Sequence, residues 1–268
     1  MKVLIIDRFP NDFLQSIQAK PVNMQYEPNR SREEILSLLE DTDILVMNSR
    51  ISIDEEAVER SPKLKMVLRA GVGMDHIDED LLRSKGIRVH NTKGGNANAV
   101  GEQTVGMLLN LRNNLRRADQ EVREFIWSRE PNRGWEIGGK TVGIIGYGHT
   151  GQSVARKLSG FQCKVMVYDK YRENYSDEYA KEASLEQLFA EAEIVSIHVP
   201  LTPETHQRVD KSYLSHFAKP IWLLNLARGP IVNLADLLVA LDEKKVLAAA
   251  LDVLPNEKMG KLTEEEKE

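Results

Sequence analysis

Lys140-Thr-Val-Gly-Ile-Ile-Gly-Tyr-Gly-His-Thr-Gly151 is the stretch on which the reading of this 268-residue chain turns. It opens with a short apolar run over residues 142–145, the length of one buried strand. Gly146, Gly148 and Gly151 then spell G-x-G-x-x-G. In that pattern Gly146 permits a tight turn out of the strand and Gly148 lets the backbone approach a pyrophosphate. Gly151 lets the next helix, expected over residues 151–160, pack against the strand with its free N–H groups toward the phosphates. Such a glycine pattern alone is weak evidence, because a βα turn can carry it with no ligand. The context strengthens it. Lys164-Val-Met-Val-Tyr-Asp169 reads as the following strand and ends in an acid 18 residues past Gly151, close to the ~20 expected of a carboxylate that binds a ribose 2′-OH. A dinucleotide site on a Rossmann βαβ unit is the expectation.

Upstream, the chain alternates short apolar runs with amphipathic helices. Residues 2–7, 43–49, 65–71 and 87–92 read as strands. Residues 10–19 read as a helix. Ser31-Arg-Glu-Glu34 and Ser52-Ile-Asp-Glu55 both spell capping boxes, and a further helix stops at Gly86. The pattern predicts a parallel sheet with helices on both faces. It recurs downstream: Ser184-Leu-Glu-Gln187 caps a helix to Ala192, and strands are expected over 194–199, 221–227 and 248–254. Two similar α/β domains follow, with the small, polar Thr92-Lys-Gly-Gly-Asn-Ala97 as a hinge. A single helix is expected over 98–124, with Thr104, Leu108, Leu111, Leu115 and Ala118 as its buried stripe. Phe125, Trp127 and Trp135 lie beyond it. They either pack on their own domain or reach over a second subunit, and the latter reading predicts a homodimer.

Composition narrows the function. Charged residues make up 29% and the net charge is −5, so there is no basic footprint for nucleic acid. No stretch is long enough to span a membrane, and the N-terminal apolar run is too short for a signal peptide. Cys163 is the one cysteine, which excludes an internal disulfide and any metal-ligand cysteine spacing. No metal is expected, and the compartment is expected to be the cytoplasm.

In doubly wound sheets ligands bind outside the carboxyl ends of the strands. That rule selects His198-Val199-Pro200, residues 225–229 and residues 252–257. Arg228 can bind a carboxylate bidentately and polarise an adjacent carbonyl. Asp252 can accept from a nicotinamide amide, and Glu257 can orient a histidine as a triad acid does. After an earlier strand, Gly71 and Gly73 flank N–H groups that could cradle a carboxylate. Arg50, ending another strand, aims a cation at the cleft between the domains.

Arg69-Ala-Gly-Val-Gly-Met-Asp75, Val100-Gly-Glu-Gln-Thr104, residues 146–151, Tyr168-Asp169, His198-Val-Pro-Leu-Thr-Pro203, Asn225-Leu-Ala-Arg-Gly229 and Ala250-Leu-Asp-Val253 together resemble the D-isomer-specific 2-hydroxyacid dehydrogenase family, whose members include 3-phosphoglycerate dehydrogenase. The resemblance implies an α/β fold of two Rossmann-like parallel-sheet domains. A flavodoxin-like substrate domain (residues 1–97) precedes an NAD-binding Rossmann domain (98–268). It implies NAD as cofactor and a small 2-hydroxy or 2-keto acid as substrate, interconverted by hydride transfer. Arg228 would be the catalytic arginine and Glu257 the catalytic glutamate. Val72, Gly71 and Gly73 would face the substrate, with Val72 also beside the nicotinamide. His149 and Thr150 would occupy the pyrophosphate-binding dipeptide, where the family often has arginine and isoleucine. Asp169 would take the adenine ribose, favouring NAD over NADP, with Arg172 near enough to complicate that choice. Thr104, His198, Val199, Pro200, Leu226, Ala227 and Asp252 would complete the cofactor contacts. Arg50 matches an arginine-containing segment that phosphoglycerate dehydrogenases use near the substrate phosphate, which makes 3-phosphoglycerate the expected substrate.

The family's acid–base histidine follows the glutamate in a Thr-Pro-His segment, and none of the six histidines here matches it. Residues 258–268 are charged, with only Met259 and Leu262 apolar, and do not read as a closing strand. The sequence is therefore expected to be part of a longer chain, without the last strand of the nucleotide domain or the segment returning to the first. A non-catalytic NAD-binding regulator on the same scaffold is the other expectation, since the family includes a transcriptional corepressor.

Overall fold

The structure is a computed structural model that describes residues 1–257 and 260. The expectation about the chain's last residues falls outside that description. The chain forms two compact units, Met1–Gly95 and Asn96–Glu268.

The first unit holds five parallel strands, β1 (Lys2–Ile5), β2 (Asn23–Tyr26), β3 (Ile44–Met47), β4 (Met66–Arg69) and β5 (Arg88–Asn91), in the order β2-β1-β3-β4-β5. That is the flavodoxin-like order. Its helices are α1 (Asn11–Gln18), α2 (Arg32–Leu39), α3 (Glu55–Glu59) and α4 (Glu79–Ser84). The apolar runs are continuous because the central strands are covered on both faces. Leu4, Leu45, Met47 and Val67 pack with Ile35, Leu36 and Leu39 of α2. Val3, Ile5 and Val46, one residue out of phase, meet Phe13, Leu14 and Ile17 of α1.

The second unit holds six parallel strands, β6 (Thr141–Ile145), β7 (Lys164–Tyr168), β8 (Lys181–Glu182), β9 (Ile194–Ile197), β10 (Ile221–Asn225) and β11 (Val246–Leu251), in the order β11-β10-β9-β6-β7-β8. Counted from β6, this is the Rossmann order 6-5-4-1-2-3. Helices α5 (Ala97–Arg112) and α7 (His149–Leu158) cover one face, where Val105, Leu108, Val154 and Leu158 pack on Val142 and Ile144. On the other face α9 (Lys211–Ser215) and α10 (Leu234–Asp242) bring Tyr213, Leu214, Leu237 and Ala240 to Val195, Ile197 and Leu223. Helix α8 (Leu185–Glu191) seats Leu188 against Met166.

Several local expectations are corrected. The helix expected over 98–124 is two helices, α5 and α6 (Leu115–Arg123), separated at Asn114, whose φ of 51° is left-handed. The break follows from Arg112, which is buried, donates to the carbonyls of Trp135 and Glu136 at 3.3 and 3.0 Å, and lies 4.5 Å over the Trp222 ring. Beyond it the stripe ends, and Leu115 is 53% exposed. Ser52 does not cap α3. Ile53 bridges to Ile77, which keeps the chain extended, and the cap is Asp54, accepting from Ala57 N at 3.2 Å. The capping boxes at Ser31 and Ser184 are both formed. Helix α7 starts at His149, two residues earlier than expected. Strands β2 and β8 were not foreseen; both sit at sheet edges.

Candidate functional site

The loops after β6 and β9 meet where the strand order of the second sheet reverses, the crevice in which doubly wound sheets hold ligands. Gly146 has φ +92°, and a Cβ there would stand 2.6 Å from the His198 carbonyl oxygen, so the turn admits only glycine. A Cβ on Gly151 would lie 2.2 Å from Gly146 O, which is the close helix–strand contact the motif requires. Gly148 differs: nothing lies within 4 Å of its Cβ position. It leaves bare backbone at the start of α7, whose first turn no side chain caps. His149, exposed, and Thr150, half-buried, are the first residues of that helix. This is a cradle for a diphosphate.

Asp169 ends the neighbouring strand. One carboxylate oxygen accepts from Tyr147 N at 2.9 Å and the other from Tyr171 N at 3.0 Å. Its own N–H donates to the Tyr175 hydroxyl at 2.8 Å, which in turn donates to Val167 O at 3.2 Å. Tyr147 is fully buried and its hydroxyl donates to Asp177 at 2.7 Å; burial pushes that phenol's pKa up. Arg172 donates to the Tyr147 carbonyl and lies 5.7 Å over the Tyr175 ring, so it is drawn into this network. Gly146, Gly148, Asp169, His198, Val199 and Pro200 share a cavity of about 250 Å³. The bare glycine, the uncapped helix and the fixed carboxylate fit the adenosine diphosphate half of a dinucleotide.

His198 Nε2 lies 2.8 Å from the Ser196 hydroxyl, and burial pushes its pKa from 6.5 down to about 4. That is too low for proton transfer near neutral pH. It also makes stability depend on pH. The unfolded chain binds a proton at this site below pH 6.5 and the folded one only near 4. Stability is therefore complete above the upper value and falls as pH drops through the window, by up to about 3 kcal/mol. Urea midpoints taken between neutral pH and the lower limit should show this slope, and His198→Asn should remove most of it. An unchanged slope would refute the assignment.

A second constellation sits at the ends of β10 and β11. Asn225, 1% exposed, donates to Arg228 O at 2.9 Å and accepts from Ala227 N at 3.1 Å, which fixes the loop. Arg228 is half-buried, with one guanidinium nitrogen donating to Ala227 O at 2.7 Å. Leu226 is buried with the core beneath. Asp252 is exposed; its N–H donates to Asn225 O at 3.0 Å, and Gln103 Nε2 lies 3.5 Å from its carboxylate. A Cβ on Gly229 would lie 2.0 Å from the Leu254 carbonyl carbon, so the Arg228 loop is seated directly on the segment leading to Glu257, itself exposed. Thr104, on α5, is 2% exposed and its hydroxyl donates to Val100 O at 2.7 Å.

In the first unit, the strand order reverses between β1 and β3. Asp7 and Arg50 follow these strands and pair at 3.4 Å, and Asn48 Oδ1 accepts from Arg69 at 2.9 Å. The Arg69 guanidinium occupies the space a Gly71 Cβ would need. Gly71 N donates to Arg69 O at 2.9 Å within the turn. Val72 is exposed, its carbonyl accepting from Asn91 at 2.7 Å, and Gly73 is half-buried beside it. Sequence reading missed Tyr171, Glu204 and Arg208. Only the tyrosine, two residues past the strand-ending acid, carried a local signal.

Residues 105–267 match the family model described as D-isomer specific 2-hydroxyacid dehydrogenase, NAD binding domain. The chain belongs to this dehydrogenase family. Among its members, the D-3-phosphoglycerate dehydrogenase of Mycobacterium tuberculosis is 34% identical over 260 residues, 95% of this chain and 48% of its own length. The chain thus spans about half the length of the phosphoglycerate dehydrogenases it matches. The glyoxylate reductase of Thermofilum pendens is 37% identical over 85% of this chain and 69% of its own. The solved D-lactate dehydrogenase of Aquifex aeolicus, complexed with NAD and lactic acid, superposes with a TM-score of 0.84 at 27% identity, over 98% of this chain and 82% of that one. The dehydrogenase family therefore accounts for both sheets, and its NAD-binding domain for the second.

Proposed function

We propose that the protein is an NAD-dependent oxidoreductase that interconverts a D-2-hydroxy acid and its 2-keto acid, with 3-phosphoglycerate as the preferred hydroxy acid. The observation that carries this reading is the Arg228 loop, held by Asn225 and seated on the segment of Asp252 and Glu257, at the edge of the sheet that also bears the Gly146 turn. Bound NAD supplies the carbon that exchanges hydride with C2 of the acid. Arg228 holds the substrate carboxylate bidentately and draws electron density from the C2 oxygen. Asp252 would accept from the nicotinamide carboxamide and so help to hold the ring. Glu257 would orient a histidine that moves the proton on the C2 oxygen and stabilise its charged form; none of the six histidines here matches that group. Asp169 accepts from the adenine ribose hydroxyls and repels a 2′-phosphate. A cytoplasmic setting suits Cys163, a lone thiol whose pKa burial pushes up. No helix among the described residues is long and apolar enough to cross a membrane.

Hydride transfer by the full-length gene product, followed as NADH formation with 3-phosphoglycerate, glycerate and D-lactate, tests the reading. NAD binding without turnover of any of these acids would favour the regulator instead. Within that assay kcat/KM is expected to favour the phosphorylated acid. Arg50→Ala should erase the preference while leaving glycerate turnover within a few-fold. If the preference survives, Arg50 is not the phosphate ligand.

We further propose a homodimer. Phe125 is 98%, Trp127 84% and Trp135 66% exposed, a patch of aromatic surface that monomers rarely leave uncovered. Light scattering of the full-length protein at micromolar concentration should return twice the monomer mass; a monomer would count against the assignment.

A further inference from the structure

The outer wall of the adenosine cavity carries a charge arrangement that the Asp169 rule does not include. Lys170 directly follows the ribose acid and lines the cavity with Tyr171, Glu204 and Arg208. A lysine at that place is a natural partner for a ribose 2′-phosphate, because its long stem can carry an ammonium to wherever the phosphate sits. Here it is engaged. Its ammonium pairs with one oxygen of the Glu204 carboxylate, and the Tyr171 hydroxyl donates to the other at 2.8 Å. The same ammonium lies 5.7 Å from the Tyr171 ring centroid. Two donors of this wall thus converge on one carboxylate, while the Arg208 guanidinium lies 5.6 Å over the Tyr213 ring. Glu204 is itself held firmly. The turn that presents it is tied by Thr205 Oγ1 donating to Pro200 O at 2.7 Å, Thr202 N donating to Thr205 Oγ1 at 2.8 Å, and Thr205 N donating to Thr202 Oγ1 at 3.2 Å. The other cation past the acid, Arg172, is turned toward the Tyr147 carbonyl and the Tyr175 ring.

We infer that Glu204 is a second determinant of cofactor choice, acting through Lys170: it withholds that ammonium from the ribose 2′ position, with the Tyr171 hydroxyl drawn to the same carboxylate. The inference rests on the dinucleotide reading proposed above. The pair is half exposed, at 53% and 49%, so its worth to folding is small. Its effect is on which nucleotide the wall tolerates.

Dissociation constants of NADH and NADPH, measured by fluorescence titration on the full-length protein, test it. The set comprises wild type, Glu204→Gln, Glu204→Ala as a second neutral variant, Lys170→Gln and the Lys170→Gln/Glu204→Gln double variant. Either neutral variant at Glu204 should shift the NADPH-to-NADH affinity ratio toward NADPH by about tenfold, ~1.4 kcal/mol. The double variant should lose that gain, because the released ammonium produces it. An unchanged ratio overturns the inference, as does a gain that persists without Lys170. A parallel loss of both nucleotides would mean that Glu204 only supports the turn, and it also overturns the inference. Wild-type protein that binds NADH while these shifts fail leaves the cofactor reading standing; wild-type protein that binds neither nucleotide removes that reading and the inference with it.

Discussion

Arg228→Ala is expected to lower kcat/KM for keto-acid reduction by about 10²–10³-fold, the loss typical when one preorganised charge donor is removed from a reacting oxygen. NADH affinity and thermal stability should change little. The side chain is half-buried, and the loop beneath it is fixed by Asn225 through bonds to Arg228 O and Ala227 N that do not involve the guanidinium. Arg228→Lys should recover only a small part of the loss, since an ammonium cannot reproduce the two parallel donors that grip a carboxylate. Steady-state kinetics on the full-length protein decide the matter. A loss smaller than tenfold, or full rescue by lysine, would remove Arg228 from the reacting centre.

Gly229→Ala should be nearly as damaging for a different reason. Its Cβ would stand 2.0 Å from the Leu254 carbonyl carbon, 2.1 Å from its oxygen and 2.4 Å from Pro255 N. All three are backbone atoms, so no side chain can swing aside and one loop must move. Overpacking of this kind costs about 1–3 kcal/mol. The segment that moves also carries Asp252 and Glu257, and misplacing reacting groups by ~1 Å can cost 10²-fold in rate. The expected result is a lower urea midpoint together with a fall in kcat/KM of about two orders of magnitude, with NADH still bound through the Gly146 turn and Asp169. Unchanged midpoint and turnover would mean that the two loops do not rest on each other in solution.

How far such detail could be read beforehand depended on what fixes each element. The Gly146 turn and its acid were legible because each glycine answers a local steric demand, and the structure meets those demands at Gly146 and Gly151 with backbone contacts. Ser31 and Ser184 were legible for the same reason, since a capping box is completed within four residues. Ser52 spells the same box and fails because Ile53 is claimed by Ile77 across the fold. The long helix failed at Arg112, whose inward turn depends on carbonyls more than twenty residues away. Strand β2 has only Met24 and Tyr26 as apolar residues, both partly buried, and owes its extension to pairing with β1. The strand-end rule found His198, Arg228 and Asp252 because it is topological. It could not find Glu204, whose partners Lys170 and Tyr171 lie more than thirty residues earlier.

Tyr147 gives the nucleotide half of the protein one more property. Its amide binds the Asp169 carboxylate, its carbonyl receives Arg172, and its buried hydroxyl holds Asp177. Tyr175, from the same β7–β8 loop as Arg172 and Asp177, takes the Asp169 amide. The phosphate turn and the ribose loop are therefore tied together by one hydrogen-bonded network. Much of the conformational entropy needed to order the ribose acid is lost when the chain folds, not when a ligand arrives. A nucleotide at this site would then meet a ribose acid already in place, with no loop to refold at each encounter.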